Sequence, residues 1–504
     1  MTTVLDTRSS GILLHITSLP GKYFSGDLGP EAYDFVKELK SLKQTWWQTL
    51  PINPIGLGNS PYSSISSFAG EPILISLEIL QKEKLLAPND LKITVSNNSK
   101  RTNYKQSIKF RNKCLTTAFA NAKAKQNYFK SKDFLDFCKK QKFWLEDFAL
   151  FAAIADTYKT LDWTMWPDEL RDRIPGALKI ANEQFEEKVL YNKFVQYHFD
   201  KQWQLLQSFA KKNGIKLMGD IPIFISFKSA DVWANQSSFL LNKATRAPTF
   251  VAGCPPDRFN QDGQLWGNAL YNWKAMKSDD FKWWKQRFKR ILGQFDAIRL
   301  DHFIGFYRFW AIPQGATTAK SGKWRMAMGD EFFTSISKSF KNMPFLAEDL
   351  GAVTPAIRAL RDKFTFPGMK VIQFGYGNDG ESLVHRPCNI TKTSVVYTGT
   401  HDNDNAIGWY KDLKKQKTLT FKNAEADLGS SSKDINWRLI SMAMHSQAHI
   451  AIAPMQDILG LDSKDRMNVP GIPEGNWGWR MEPKSIHKET SERLSRLTEL
   501  TSRG

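Results

Sequence analysis

Cysteine is scarce: the 504 residues hold four, Cys114, Cys138, Cys254 and Cys388, far apart and without a CxxC pair. That spacing excludes a disulfide scaffold and a cysteine zinc site, and it fits a reducing compartment. Long apolar runs are absent too, and no stretch approaches the roughly 20 residues that a membrane helix requires. Residues 1–10 carry Asp6 and no apolar h-region, so no secretory signal is expected. The zinc-finger, RRM and Walker patterns are also missing. Their absence matters because the net charge is +19, which by itself invites a nucleic-acid partner. The basic excess is dispersed in Lys-rich runs such as 123–132 and 139–142, the pattern of a solvated face. We expect a cytoplasmic protein, a monomer or weak homo-oligomer, with no nucleic acid, membrane, metal or cofactor.

What is present is a large core: 41% of residues are hydrophobic, and 17 are Trp. Flat rings suit the apolar faces of sugars, although most will be ordinary core residues. Short apolar runs that end in turn residues or carboxylates recur along the chain: Gly11–Leu14, Trp46–Leu50, Ile215–Met218, Phe295–Leu300, Phe345–Ala347, Met369–Phe374, Ser394–Tyr397 and Ile450–Ala453. Such runs suit strands buried on both faces of a parallel sheet. Helical patterns separate several of them, as in Pro30–Leu42 and the segment to about Phe364 that opens on Thr354 as N-cap and Pro355 as first helical residue. Eight strands with intervening helices predict an α/β fold, a (β/α)8 TIM barrel occupying 1–504 as one catalytic unit. The spacing between the second and third strands exceeds a normal crossover. It predicts a helical insertion over 55–213, with helices near Asn103–Lys125, Asp133–Thr157 and Ala181–Asn213. A second insertion, 225–285, is rich in Gly, Pro, Asn and Trp and reads as a loop subdomain lining a cleft. Ending at Gly504, the chain is expected to lack a C-terminal β-domain.

The barrel places its chemistry at the C-terminal ends of the strands, and carboxylates stand there. Asp301 is two residues beyond Arg299, so the two share a face. A guanidinium keeps a neighbouring carboxylate ionised, as a glycosidase nucleophile requires. A structural ion pair would look the same. Glu348 directly ends an apolar run and is chosen over Asp349 as general acid/base, a helix-capping carboxylate being the alternative for either. Asp402 lies in the polar cluster Gly399-Thr-His-Asp-Asn-Asp404 and could hold the hydroxyls of a reacting sugar more tightly in the transition state. Asp220, in Gly219-Asp-Ile-Pro222, reads as a structural or supporting carboxylate and is grouped with the substrate-binding residues.

These motifs, Arg299-Leu-Asp301-His-Phe, Ala347-Glu348-Asp349-Leu-Gly and Gly399-Thr-His-Asp402-Asn, resemble the catalytic regions of the α-amylase superfamily in order. From Gly11 to Arg480 the chain is similar to glycoside hydrolase family 77, the 4-α-glucanotransferases. Further markers are Leu14-His15-Ile-Thr-Ser-Leu-Pro20-Gly21, Ser60-Pro-Tyr62, Gly253-Cys-Pro-Pro-Asp257, Gly263-Gln264-Leu-Trp266-Gly-Asn268, Asn468-Val-Pro-Gly471 and Asn476-Trp477-Gly-Trp479-Arg480. The resemblance implies a retaining transfer of α-1,4-glucan segments to the 4-hydroxyl of glucose or another glucan. Its partners would be maltodextrins, glucose and starch- or glycogen-derived glucans. It makes Asp301 the nucleophile, Glu348 the acid/base and Asp402 the transition-state stabiliser. Its sugar-binding positions match Ser60, Tyr62, Asp257, Gln264, Trp266, Arg299, His302, His401 and Asn468. Tyr104 is a poorer match to a remote glucan-binding tyrosine. Departures from the family pattern include Glu71 for Asn, Ala269 for Pro, Ile304 for Arg, Cys388 for His or Glu, and Ile472 for Thr.

Overall fold

The computed structural model describes residues 3–93, 100–256, 261–431, 433–472 and 474–504. In chain order its strands are β1 (Ser9–Leu13), β2 (Trp46–Gln48), β3 (Lys216–Ile221), β4 (Phe250–Cys254), β5 (Gln264–Ala269) and β6 (Ala297–Leu300). They continue with β7 (Arg308–Pro313), β8 (Lys323–Met326), β9 (Phe345–Ala347), β10 (Gly368–Val371), β11 (Ser394–Tyr397) and β12 (Ile450–Pro454). Eight of them close a parallel barrel in the order β1-β12-β11-β10-β9-β6-β3-β2. These are the eight apolar runs of the sequence. Every residue of β1, β6, β11 and β12 is buried, because helices cover the outside and side chains fill the inside. The wall is tight: a Cβ on Gly11, which pairs with Trp46, would lie 2.4 Å from the Trp46 Cβ.

Helix Pro30–Ser41 shows how the outer layer forms. Pro30 begins it, and Ala32, Phe35, Val36 and Leu39 are its buried stripe, the spacing of one helical face. Phe35 meets Trp47 of β2 edge to face at 4.9 Å, and burying a side chain of that size contributes about 1.5–3 kcal/mol. At the opposite end of the chain, Arg503 is fully buried. Its guanidinium donates to the carbonyls of Ser9, His449, Met444, Ser446 and Ala448, tying the starts of β1 and β12 to the C-terminus.

Local boundaries differ from the sequence reading in four places. The helix expected over Ala181–Asn213 is two, Pro175–Gln184 and Glu186–Lys212, broken at Phe185. The second returns to the barrel wall, where Trp203 packs on Phe295 at 5.0 Å and donates to the Gln294 carbonyl. β10 stops at Val371, and Ile372–Tyr376 is a 3-10 turn. Helix Pro355–Lys363 has Pro at its first position, but the Thr354 side chain makes no capping bond. Finally, segment 225–285 is not merely loop. Its β4 and β5 join β7 and β8 in an antiparallel sheet of order β5-β4-β7-β8, half of which comes from beyond residue 285.

Candidate active site

The parallel register sets the first contact. Asp220 of β3 lies opposite Arg299 of β6, so both side chains enter the barrel mouth on the same face. Arg299 Nη1 donates to both Asp220 oxygens at 2.9 and 2.7 Å and stands 2.9 Å from an Asp301 oxygen. Burial works against the Arg299 charge, but Asp220 and Asp301 outweigh it and hold the guanidinium above its ordinary value. Burial, opposed by Arg299, pushes the Asp220 carboxyl up, and the nearby Asp301 adds to it. The Tyr62 hydroxyl donates to Asp220 at 2.8 Å. Asp301 keeps 26% side-chain exposure, so it can reach a ligand in the mouth.

Glu348 follows β9 and differs in kind. Its Oε2 accepts the His302 backbone N–H at 2.6 Å. His302 has φ +49°, the left-handed region uncommon for a residue with a Cβ, and this turn accompanies the N–H aimed at Glu348. Burial pushes the Glu348 carboxyl well above the usual range, the Asp301 charge adds to this, and Arg299 opposes it. The neighbouring Asp349 points elsewhere: it pairs with Arg361 and accepts the Met369 N–H at 2.8 Å. The mouth therefore holds two carboxyls beside the Arg299 guanidinium, the part-exposed Asp301 and the buried Asp220, and a third, Glu348, that burial favours in its neutral form.

Asp402 enters from the segment after β11. Asn468 Nδ2 donates to its Oδ1 at 2.6 Å, and His401 Nε2 lies 3.4 Å from Oδ2. Arg466 donates to the Asp402 carbonyl at 2.9 Å and to the Asn468 carbonyl at 3.0 Å. Tyr62 stacks on His401 at 5.2 Å, and Trp477 packs 5.7 Å from Tyr62 and 6.0 Å from His401. Ser60 Oγ accepts the Tyr62 N–H at 3.2 Å and so shapes the turn that presents the tyrosine. Across the mouth, Trp266 meets His302 edge to face at 5.0 Å and donates to Gln264 Oε1 at 3.0 Å. Trp266 is 37% exposed, a large ring left facing the cleft side of β5.

The fold thus brings Asp220, Arg299, Asp301, His302, Glu348, His401, Asp402, Asn468 and Tyr62 into one connected cluster. Gln264 and Trp266 adjoin it through His302, and Ser60 through Tyr62. Asp257 lies outside the described residues. Tyr104 is buried, its hydroxyl donating to the Trp477 carbonyl at 2.9 Å, so it braces the wall of the cleft from behind. Ala269 donates its N–H to the Ile225 carbonyl at 3.1 Å, a bond that proline could not make. Ile304 is buried, while Ile472 and Cys388 are exposed. Among the described residues no group of three or more His, Cys, Asp or Glu is placed to hold a metal, and no helix is long and apolar enough to cross a membrane.

Four neighbours of the cluster were not assigned roles from sequence. His15 is buried, with Nδ1 3.1 Å from Thr49 Oγ1, and burial pushes it down to about 3, so it is neutral. Trp477 and His15 stand inside motifs quoted above, so a signal existed. Phe224, which packs 6.4 Å from both Trp266 and His302, sits in an apolar run that reads as core. Arg466 carries no local signal.

A family model described as 4-alpha-glucanotransferase, glycoside hydrolase family 77, matches residues 14–486. The 4-alpha-glucanotransferase of Synechocystis sp. is 42% identical over 506 residues, spanning 99% of this chain and 99% of its own. That of Thermus thermophilus is 40% identical over 501 residues, spanning 98% and 99%. Amylomaltase from Streptococcus agalactiae, solved in complex with acarbose, superposes with a TM-score of 0.94 at 33% identity, covering 99% of this chain and 100% of that one. Kinship of this extent, laid over a mouth built from these carboxylates, settles the family: the chain belongs to the 4-alpha-glucanotransferases of glycoside hydrolase family 77 (EC 2.4.1.25), which move α-1,4-glucan segments from one sugar chain to another.

Proposed function

We propose that Asp301 is the nucleophile, Glu348 the general acid/base and Asp402 the transition-state stabiliser of this transfer. The observation that carries the assignment is the electrostatic contrast between the first two. Asp301 lies 2.9 Å from Arg299, and Glu348 is pushed up by burial and by Asp301 itself. A retaining mechanism needs an ionised nucleophile and a protonated acid, and the guanidinium beside Asp301 and the burial of Glu348 suit those two roles. Glu348 protonates the departing glycosidic oxygen while Asp301 attacks the anomeric carbon, forming a β-linked glucosyl ester and freeing the reducing-end fragment. Glu348, now a carboxylate, takes the proton of an incoming 4-hydroxyl, which attacks the anomeric carbon, breaks its bond to the Asp301 oxygen and releases the Asp301 carboxylate. Asp402, held by Asn468 and beside His401, accepts hydroxyls of the distorted sugar, an interaction weighted toward the transition state.

Tyr62, His401, His302, Arg299, Asn468 and Asp220 would line the reacting sugar's pocket, with Ser60 supporting Tyr62. Gln264, Trp266 and Asp257 would hold the acceptor and keep out the water that competes for the intermediate. The cleft would take an acarbose-like chain, a reading supported by the Streptococcus agalactiae amylomaltase having been solved in complex with acarbose. Residues 55–213 and 225–285 are read as the two insertions that wall the cleft. The substrates are maltodextrins and glucose, not nucleic acid, the enzyme needs no cofactor, and it works in the cytoplasm as a monomer or weak homo-oligomer.

A glycosyl fluoride donor tests the roles, because fluoride leaves without a proton. With Glu348→Gln, Asp301 still attacks and the glucosyl-enzyme accumulates, since the second step lacks its base. With Asp301→Asn no adduct forms. An adduct on Asp301→Asn, or none on Glu348→Gln, overturns the assignment. Maltotriose alone should yield glucose and a ladder of longer chains with little rise in reducing ends. Steadily rising reducing ends would show hydrolysis instead.

A further inference from the structure

Asp457 is 1% exposed and sits in the turn Met455–Ile458 directly after β12. Its Oδ2 accepts the Thr398 hydroxyl at 2.5 Å, and its Oδ1 accepts the Ala406 backbone N–H at 2.7 Å. Its own carbonyl is fixed by Asn436 Nδ2 at 2.8 Å. Thr398 is the first residue beyond β11, and Ala406 is the first of helix Ala406–Gln416. The segment between them carries His401 and Asp402. One buried carboxylate therefore clamps both ends of the loop that presents Asp402.

Within the loop the turn is already braced. Asn403 Oδ1 accepts the Thr400 N–H and hydroxyl, both at 2.9 Å, and Thr400 Oγ1 accepts the Asp402 N–H at 3.3 Å. Such a turn moves as a unit, so the aim of Asp402, tied directly by Asn468 and Arg466, depends also on how the ends of the loop are held. Asn405, the residue before the helix, makes no side-chain capping bond. Asp457 supplies the missing acceptor from the short helix that follows β12, where an anion also suits the positive end of helix Ala406–Gln416. Gln373 adds one more tie, to the Asp404 carbonyl at 2.8 Å. No Lys, Arg or His forms an ion pair with Asp457 among the described residues, and Asp404 is a further negative neighbour. A buried carboxylate without a cation is costly, and burial pushes it up to about 6.

We propose that Asp457 is a positioning residue for the transfer reaction, acting through the loop 398–406 to hold Asp402 against the reacting sugar. This rests on the role assigned above to Asp402. A displacement of about 1 Å at a catalytic group can cost about 10²-fold in rate. Asp457→Ala should therefore lower kcat for maltotriose disproportionation by about 10²-fold with KM within about 3-fold. Asp457→Asn should restore kcat to within about 10-fold of the parent, since the amide oxygen can accept from Ala406 and its NH2 can donate to a rotated Thr398 hydroxyl.

The deciding measurement is a double-mutant cycle. In an Asp402→Asn background, Asp457→Ala should cost less than about 3-fold further, because the group it positions is already disabled. If Asp457→Ala does not fold, Thr398→Val removes one tie alone. It should cost about 10-fold in kcat, again vanishing beside Asp402→Asn. Fully additive losses, an unchanged kcat in Thr398→Val and Asp457→Ala, or an Asp457→Asn as impaired as the alanine variant would overturn the inference. An Asp402→Asn enzyme with full activity would instead overturn the role of Asp402.

Discussion

Glu71 offers a quantitative test of how this site is framed. The residue is 5% exposed, and its carboxylate accepts the N–H groups of Ile55 at 2.6 Å and Ile73 at 2.9 Å. It thereby braces both ends of the segment that carries Ser60 and Tyr62. Burial raises it from 4.5 to about 7, against the opposing pull of the two N–H donors and Arg111. Between these values the folded chain holds a proton that the unfolded chain has lost. The stabilisation is therefore complete below pH 4.5 and is lost as pH rises through 7. At 1.36 kcal/mol per pKa unit the gap is worth roughly 3 kcal/mol. Unfolding entropy near 2.1 cal/mol/K per residue sums to about 1 kcal/mol/K for a chain of this length, so the effect is about 3 °C in Tm. Glu71→Gln removes the titration. Its own cost, an amide NH2 facing a backbone N–H, is the same at every pH. Scanning calorimetry of both proteins from pH 4.5 to 8 should show the variant gaining about 3 °C on the parent as pH rises. A difference constant across that range, or one that moves the other way, would refute the reasoning.

Glu348→Gln should lower transfer by about 10²–10⁴-fold yet have a higher Tm than the parent at pH 8. The folded chain keeps this proton to a higher pH than the unfolded chain does, so the gap should widen as pH rises, and a gap that narrows contradicts the environment described for it. Arg503→Ala strips donors from five carbonyls at the closed end of the barrel and should cost on the order of 3 kcal/mol or more. An unchanged Tm would show that water replaces the guanidinium freely. Exhaustive chelation should leave the transfer rate unchanged, and a loss restored by an added metal would overturn that expectation.

Much of this architecture is legible in the chain because burial on both faces leaves a strong local mark. Ser394–Tyr397 and Ile450–Pro454 are apolar or small throughout, and each reads as a central strand without reference to its neighbours. Glu348 is preferred over Asp349 because it directly ends the apolar run Phe345–Ala347, and Asp349 does turn away to Arg361. The sheet β5-β4-β7-β8 was less legible. Its strands are partly exposed and its central pair joins Phe250–Cys254 to Arg308–Pro313 across a long separation, while Gln264–Ala269 carries loop-like residues and only pairing with Phe250–Cys254 makes it a strand. The break at Phe185 was hidden for the opposite reason, since the helical pattern on either side runs through it.

Residue types at strand ends therefore determined the barrel, the order of the carboxylates and the family resemblance, all of which depend on local composition and spacing. What only the tertiary structure decided is how those groups are tuned and held. Asp220 faces Arg299 through the β3–β6 register, Glu348 receives the His302 N–H across two strands, and Asp457 grips a loop from the short helix that follows the neighbouring strand of the barrel. None of these contacts has a signature in its own segment. Each depends on parallel strands bringing together residues 46 to 79 positions apart, and on burial whose strength is set by every element packed around the mouth.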